Sequence, residues 1–132
     1  MLTTLNRVPQ DAPYAIQTIA IPIFEVGDSE EDLVVGSAKP GYPFQIVAVQ
    51  AFFATVTGSP TVDVQIDDAS ALDDPIEPTA ETLEEATLAE DIEAIRGKAD
   101  EPINIVVNTG ASDGLEAGYV LVMIRPFGLR GD

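Results

Sequence analysis

Apolar side chains occupy every second position in several short segments of this chain, and this alternation constrains the fold more than any other feature. In TVDVQID and INIVVNT, one face is entirely valine and isoleucine, and the other face is mostly polar. A period of two is the pattern of a β-strand with one buried face. The predicted inward positions are Val62, Val64 and Ile66 in the first segment and Ile103, Ile105 and Val107 in the second.

The segment AIQTIAIPIF shows the same alternation at Ile19, Ile21 and Ile23. Pro22 lies within it, and proline has no N–H to donate to a sheet ladder. We therefore expect an edge strand here, or a strand with a bulge.

Two longer segments are apolar on both faces. FQIVAVQAFFATV predicts a central strand covered on both sides. The Gly-Ser-Pro turn after it predicts an antiparallel hairpin with TVDVQID. In the closing segment YVLVMIRPF, two-sided apolarity indicates a central strand or a protein interface. The faces predicted for the first segment are Ile46, Ala48, Phe52 and Val56 on one side and Val47, Val49, Ala51 and Phe53 on the other.

At least five strand segments separated by glycine- and proline-rich turns predict an all-β fold, namely an antiparallel β-sandwich of jelly-roll-like type. A length of 132 residues with 45% hydrophobic residues suits one domain. We expect an extended N-terminal arm over residues 1–14, a sandwich over 15–128 and a polar tail over 129–132. An acidic insert at 67–101 interrupts the sandwich.

The net charge of −17 restricts the partners that the chain can bind. A strongly acidic surface repels nucleic acid and anionic lipid, so we expect neither a nucleic-acid partner nor a membrane partner. No apolar run approaches the roughly 18 residues of a membrane-spanning helix. The same charge favours contact with basic surfaces or cations.

The chain contains no Cys and no His, which excludes thiolate nucleophiles and Ser-His-Asp catalysis. Several paired carboxylates, such as Asp73-Asp74 and Glu84-Glu85, could in principle serve glycoside hydrolysis or bind Ca²⁺. A solvated acidic face is the simpler interpretation. We therefore predict a protein that is not an enzyme and has no resident cofactor, with Ca²⁺ binding by the acidic segment as the alternative.

The chain from Phe44 to Gly128 resembles small β-sandwich virion proteins of tailed bacteriophages, which are capsid decoration (cement) proteins or fibre-associated domains. The resemblance lies in IVAVQAFFATVTGSPTVDVQID and in AIRGKADEPINIVVNTGASDGLEAGYVLVMIRPFG. It implies a strand between Thr82 and Leu88, whereas the local sequence ETLEEATLAEDIEAI has helical propensity and Thr82 with Glu85 could form a capping box. Both assignments stay open for residues 80–95, and the sandwich context favours the strand.

The resemblance also implies a function. The chain would be a non-enzymatic decoration protein that stabilises the head by binding the outer surface of the major capsid protein lattice. It would be a homo-oligomer, with a trimer as the expected state, located on the outer capsid surface of the virion. The residues expected to make subunit or capsid contacts are Leu2, Leu5, Arg7, Val8, Tyr119, Leu121 and Met123.

A second function of a different class is a carbohydrate- or Ca²⁺-binding β-sandwich module of a viral tail or fibre appendage. Such a module would bind glycans or gain thermal stability from calcium. A decoration protein would instead sediment together with capsids.

Overall fold

Nine strands and one short 3₁₀-helix occupy residues 15–127, which is the part of the chain that the computed structural model describes. The predicted arm over 1–14 and the predicted tail over 129–132 lie outside the described residues. In chain order, the elements are β1 (Gln17–Val26), β2 (Leu33–Ala38), β3 (Phe44–Thr57), β4 (Thr61–Ile66), β5 (Ala69–Ser70), β6 (Glu84–Glu85), the 3₁₀-helix (Ile92–Ile95), β7 (Arg96–Gly97), β8 (Ile103–Asn108) and β9 (Gly114–Pro126).

The strands form two antiparallel sheets that pack face to face. The first sheet has the order β1-β9-β3-β6, with β7 pairing the beginning of β3, and the second has the order β2-β8-β4-β5. The chain passes from one sheet to the other six times: between β1 and β2, β2 and β3, β3 and β4, β5 and β6, β7 and β8, and β8 and β9. This is the strand arrangement of a jelly roll. The prediction of an all-β, antiparallel sandwich is confirmed.

The core lies between the two sheets and is built from the alternating residues of both. The predicted inward positions of β4 and β8 are all buried, as are Ile21 and Ile23 of β1. Because β1 is the outer strand of the first sheet, Pro22 lies in an edge strand, as its missing N–H predicts. The largest fully buried side chains are Phe44, Phe53, Ile46, Ile103, Ile105, Leu115 and Ile124.

The predicted faces of β3 are wrong for its first residues. The pairing of β3 with β9 shifts between Ile46 and Ala48, where a bulge adds one residue to β3. The inward residues before the bulge are therefore even-numbered, and those directly after it, from Val49 to Phe53, are odd-numbered. The side chains of Ile46, Val49 and Phe53 consequently share the core.

The predicted hairpin between β3 and β4 is also wrong. β3 pairs with β9, whereas β4 pairs with β8 in the other sheet. The turn between them crosses the sandwich, with Gly58 at a positive φ of 73°. The side chain of Asp113 accepts a hydrogen bond from the Ser59 N–H at 3.0 Å, which holds this turn against the β8–β9 loop.

The acidic insert contains extended segments and a short helix. The strand favoured for residues 82–88 is confirmed at Glu84–Glu85, which pairs with β3. The Ala86 N–H donates to the Val49 carbonyl at 2.9 Å, and such tertiary bonds override the local helical propensity. The 3₁₀-helix begins after Asp91, whose side chain accepts from the Glu93 N–H at 3.1 Å, so no capping box forms at Thr82.

We expect Gly118→Ala to destabilise the fold by about 1–3 kcal/mol, in the range of overpacked cores. Gly118 lies opposite Phe53 in the β3–β9 ladder, and a methyl group there would overlap the Phe53 ring and the Phe52 carbonyl oxygen. The measurement is urea unfolding of both proteins. Gly27→Ala is the matched control, because a methyl group at Gly27 meets no atom within 4 Å. Equal midpoints for the two variants would contradict the described β3–β9 packing.

Candidate interaction surface

The outer face of the first sheet carries an unusual number of apolar side chains. We define this outer face as the side chains of β1, β3, β7 and β9 that point away from the core. In β9 they alternate with Val120, Val122 and Ile124, all of which are completely buried. The apolar members of the outer face include Ala20, Pro22, Phe24, Val47, Ala48, Phe52, Tyr119, Leu121 and Met123.

Aromatic rings form the middle of this face. Phe52 and Tyr119 are cross-strand partners, and their rings stack with centroids 5.6 Å apart and planes at 21°. Pro22 lies beside Tyr119 on the other flank. Further along β1, Phe24 leaves 81% of its side chain exposed to solvent. An isolated exposed apolar residue is ordinary, but a group of aromatic residues on one sheet face is typical of a contact surface.

Aliphatic side chains continue the surface toward the beginning of β3. Leu121 lies between Ala20 of β1 and Gln50 of β3, and Met123 lies beside Ala48. Both Leu121 and Met123 are half-buried by their neighbours. The apolar surface therefore runs along β9 from Tyr119 to Met123. The polar residues directly beside this stretch are Gln50 and the small Thr18.

Two arginines mark one end of the outer face. Gln45 of β3 pairs with Arg96 of β7 on one side and with Arg125 of β9 on the other. The Arg96 guanidinium lies 3.7 Å from the ring centroid of Phe127, and its Nε donates to Gln45 Oε1 at 3.1 Å. This cation–π contact and hydrogen bond fix the guanidinium in place. We call this the basic end.

Two glutamates mark the opposite end. Glu25 of β1 is the direct cross-strand partner of Glu116 of β9, and Thr55 of β3 flanks Glu116 on the other side. All three side chains are exposed. Like charges placed directly opposite each other in a sheet destabilise it. We call this the acidic end.

A groove of about 630 Å³ opens beside the basic end. Its lining mixes Arg96 and Lys98 with Glu93, Glu101 and the ring of Phe127. The groove therefore presents both signs of charge, and its aromatic ring is already covered by a guanidinium.

Burial affects the phenol of Tyr42, which lies near one end of this face. The Tyr42 hydroxyl donates a hydrogen bond to Gln17 Oε1 close to the basic end. Burial raises the pKa of Tyr42, so this phenol stays neutral at physiological pH.

The acidic segment is spread out over the surface in the described structure. Within residues 15–127, no three acidic side chains converge in an arrangement that could hold a metal ion. The one buried acid within residues 15–127 is Asp63, which accepts hydrogen bonds from the Ser70 hydroxyl at 2.6 Å and from Gln65 Nε2 at 3.1 Å. These bonds tie β5 to β4 and give Asp63 a structural role.

Three of the residues predicted from the sequence to make subunit or capsid contacts lie together on the outer face. They are Tyr119, Leu121 and Met123 of β9. The predicted contact residues of the arm, Leu2, Leu5, Arg7 and Val8, lie outside the described residues.

The sequence prediction missed several members of the face. Phe24 could have been found, because it is two residues from Pro22 and alternates with the inward isoleucines of β1. Arg96 and Arg125 could not, because only the pairing of β7, β3 and β9 brings these distant residues to one row.

Replacing Phe24 with alanine should change the free energy of unfolding by no more than about 0.5 kcal/mol, because its ring makes little contact with the core. The matched change Phe53→Ala should cost about 3–5 kcal/mol, because Phe53 is fully buried. Denaturant unfolding of the two variants measures both. A large loss of stability for Phe24→Ala would mean that this ring serves the fold and is not free for contacts.

Comparisons with known proteins add no further identification. No protein-family model matches the chain, and no curated protein sequence matches it. Among residues 15–127 there is also no helix long and apolar enough to cross a membrane.

Proposed function

We propose that this chain is a non-enzymatic structural protein of a virion, a capsid decoration protein that binds the outer surface of the major capsid protein lattice and stabilises the head. The observation that carries the proposal is the apolar outer face, which includes Tyr119, Leu121 and Met123 on one strand. The resemblance of Phe44–Gly128 to tailed-bacteriophage virion proteins supplies the assembly in which such a face would be used.

The composition of the outer face supports a role in protein contacts. The centres of protein interfaces are enriched in aromatic residues, methionine and arginine, and the face contains all three. The side chains on the inner surface of the same sheet already build the core, so those on the outer face are not needed to close it. Exposing them to water costs free energy, which a partner that covers them would recover at about 25 cal/mol per Å² of apolar surface.

The charge of the molecule fits repeated attachment to a shell. A net charge of −17 favours solubility, and it favours binding to basic patches on a partner. A protein that binds in many copies to a lattice gains avidity without strong single contacts. Weak individual contacts and a high charge are therefore compatible with stable attachment.

The jelly-roll fold is compatible with this role but is not by itself evidence for it. Jelly rolls occur in viral capsid domains and also in lectins, so the fold alone leaves both functions open. The alternative function, a carbohydrate- or Ca²⁺-binding module, would need a site. The groove beside Phe127 is one candidate, and the guanidinium of Arg96 already covers one face of the ring on which a sugar would stack.

The test is co-sedimentation of the purified protein with shells assembled from the major capsid protein encoded in the same genome. We expect the protein to sediment with the shells at a saturable copy number and to raise the temperature at which they break. The double variant Leu121→Asp/Met123→Asp should bind roughly tenfold more weakly, because two charges would enter the apolar surface. Glu31→Gln is the control, an exposed change outside the outer face.

Wild-type protein that stays in the supernatant at all concentrations would contradict the proposal. A rise in melting temperature with calcium, or binding to a glycan array, would favour the alternative module. Both measurements use the same purified protein.

A further inference from the structure

We propose that the outer face binds a second copy of this chain in an antiparallel, two-fold symmetric dimer. In this dimer, the basic end of each copy lies over the acidic end of the other. The inference goes beyond the proposed function, because it gives the outer face a different occupant, a second copy of this chain, when no shell is present. It rests on that function only for the idea that this face is an interface.

Positive and negative charges are separated along the face. Arg96 and Arg125 lie in the row of Gln45, and Glu116 lies in the row of Thr55. These rows are roughly 30 Å apart, at about 3.3 Å per residue of strand. The apolar surface fills the space between them. The face is therefore self-complementary when one copy is turned by 180°, as a two-fold interface requires.

Each end carries two charges of one sign, and at the acidic end the two are directly opposite each other. Glu25 and Glu116 are direct cross-strand partners, and Arg96 and Arg125 flank the same glutamine. In an antiparallel dimer the two charges at each end face two charges of the opposite sign, which relieves the repulsion between Glu25 and Glu116. A parallel arrangement would place arginine over arginine and glutamate over glutamate. Charge complementarity thus selects the antiparallel orientation.

The few basic residues of the described chain are concentrated near the basic end of the face. Residues 15–127 contain four basic residues, Lys39, Arg96, Lys98 and Arg125, and two of them lie on this face. Because the chain has a net charge of −17, the outer face is the surface that a second, equally acidic copy can approach with the least repulsion. Phe52, Tyr119 and Leu121 would then form the apolar centre of the contact. The inferred dimer replaces the trimer that the resemblance implies.

Reversing the charge at each end provides the test. The variant Arg96→Glu/Arg125→Glu has two acidic ends, and the variant Glu25→Arg/Glu116→Arg has two basic ends. Each variant alone should dimerise at least tenfold more weakly than wild type in sedimentation-velocity experiments. An equimolar mixture of the two should form a one-to-one heterodimer with a dissociation constant within about threefold of the wild-type homodimer.

Two single variants and two control variants separate loss of dimerisation from loss of folding. Arg96 contacts Gln45 and Phe127, so its replacement could disturb the fold. Arg125→Glu mixed with Glu116→Arg repeats the experiment with one substitution in each chain, and circular dichroism verifies folding. Lys39→Glu and Glu31→Arg make the same charge changes at exposed loop positions and should leave dimerisation unchanged.

A wild-type protein that stays monomeric or forms trimers would overturn the inference. So would reversed variants that self-associate as tightly as wild type, or a mixture that forms no heterodimer. The outcome is independent of the shell experiment, because no capsid is present. A protein that dimerises but does not bind shells would contradict only the proposed function. A protein that binds shells but stays monomeric in solution would contradict only this inference.

Discussion

The pairing of β9 with β1 on one side and β3 on the other is the constraint on which the rest of the structure depends. It makes β9 the second strand of its sheet and fixes the direction of every side chain along it. Val120, Val122 and Ile124 close the core, so Tyr119, Leu121 and Met123 must lie on the opposite surface. The fold and the candidate interface are thus two sides of one strand. Since an antiparallel sheet with one solvated face normally carries polar side chains there, the apolar row on β9 indicates a contact surface.

The bulge in β3 aligns the rest of this surface. Because it changes the inward positions from even to odd numbers, Phe52 points outward beside Tyr119 and Phe53 enters the core. Without the extra residue, Phe53 would lie on the surface and Phe52 in the core. Gly118, opposite Phe53, leaves room for that ring between the strands. Local irregularity therefore decides which of two adjacent phenylalanines is available for contacts.

Much of the fold could be predicted from the sequence, because alternation is a local property. The inward residues of β4 and β8, the edge position of Pro22 and the two faces of β9 all follow from a period of two. The hairpin between β3 and β4 and the faces at Ile46 were predicted wrongly, because strand partners and bulges depend on residues far along the chain. The same limit applies to the charged ends. Nothing near Arg96 in the sequence indicates that it shares a row with Arg125.

The central claim is that the outer face of the first sheet is covered by protein when the molecule functions. Hydroxyl-radical footprinting of the wild-type protein at low and high concentration measures this directly, with labelling of Tyr119, Leu121 and Met123 as the readout. Val34, which is 53% exposed in the other sheet, serves as the internal reference. Our account predicts that labelling of the three β9 residues falls with concentration, and falls also on assembled shells, while Val34 stays unchanged. Labelling of the β9 residues that is the same under all these conditions would contradict it.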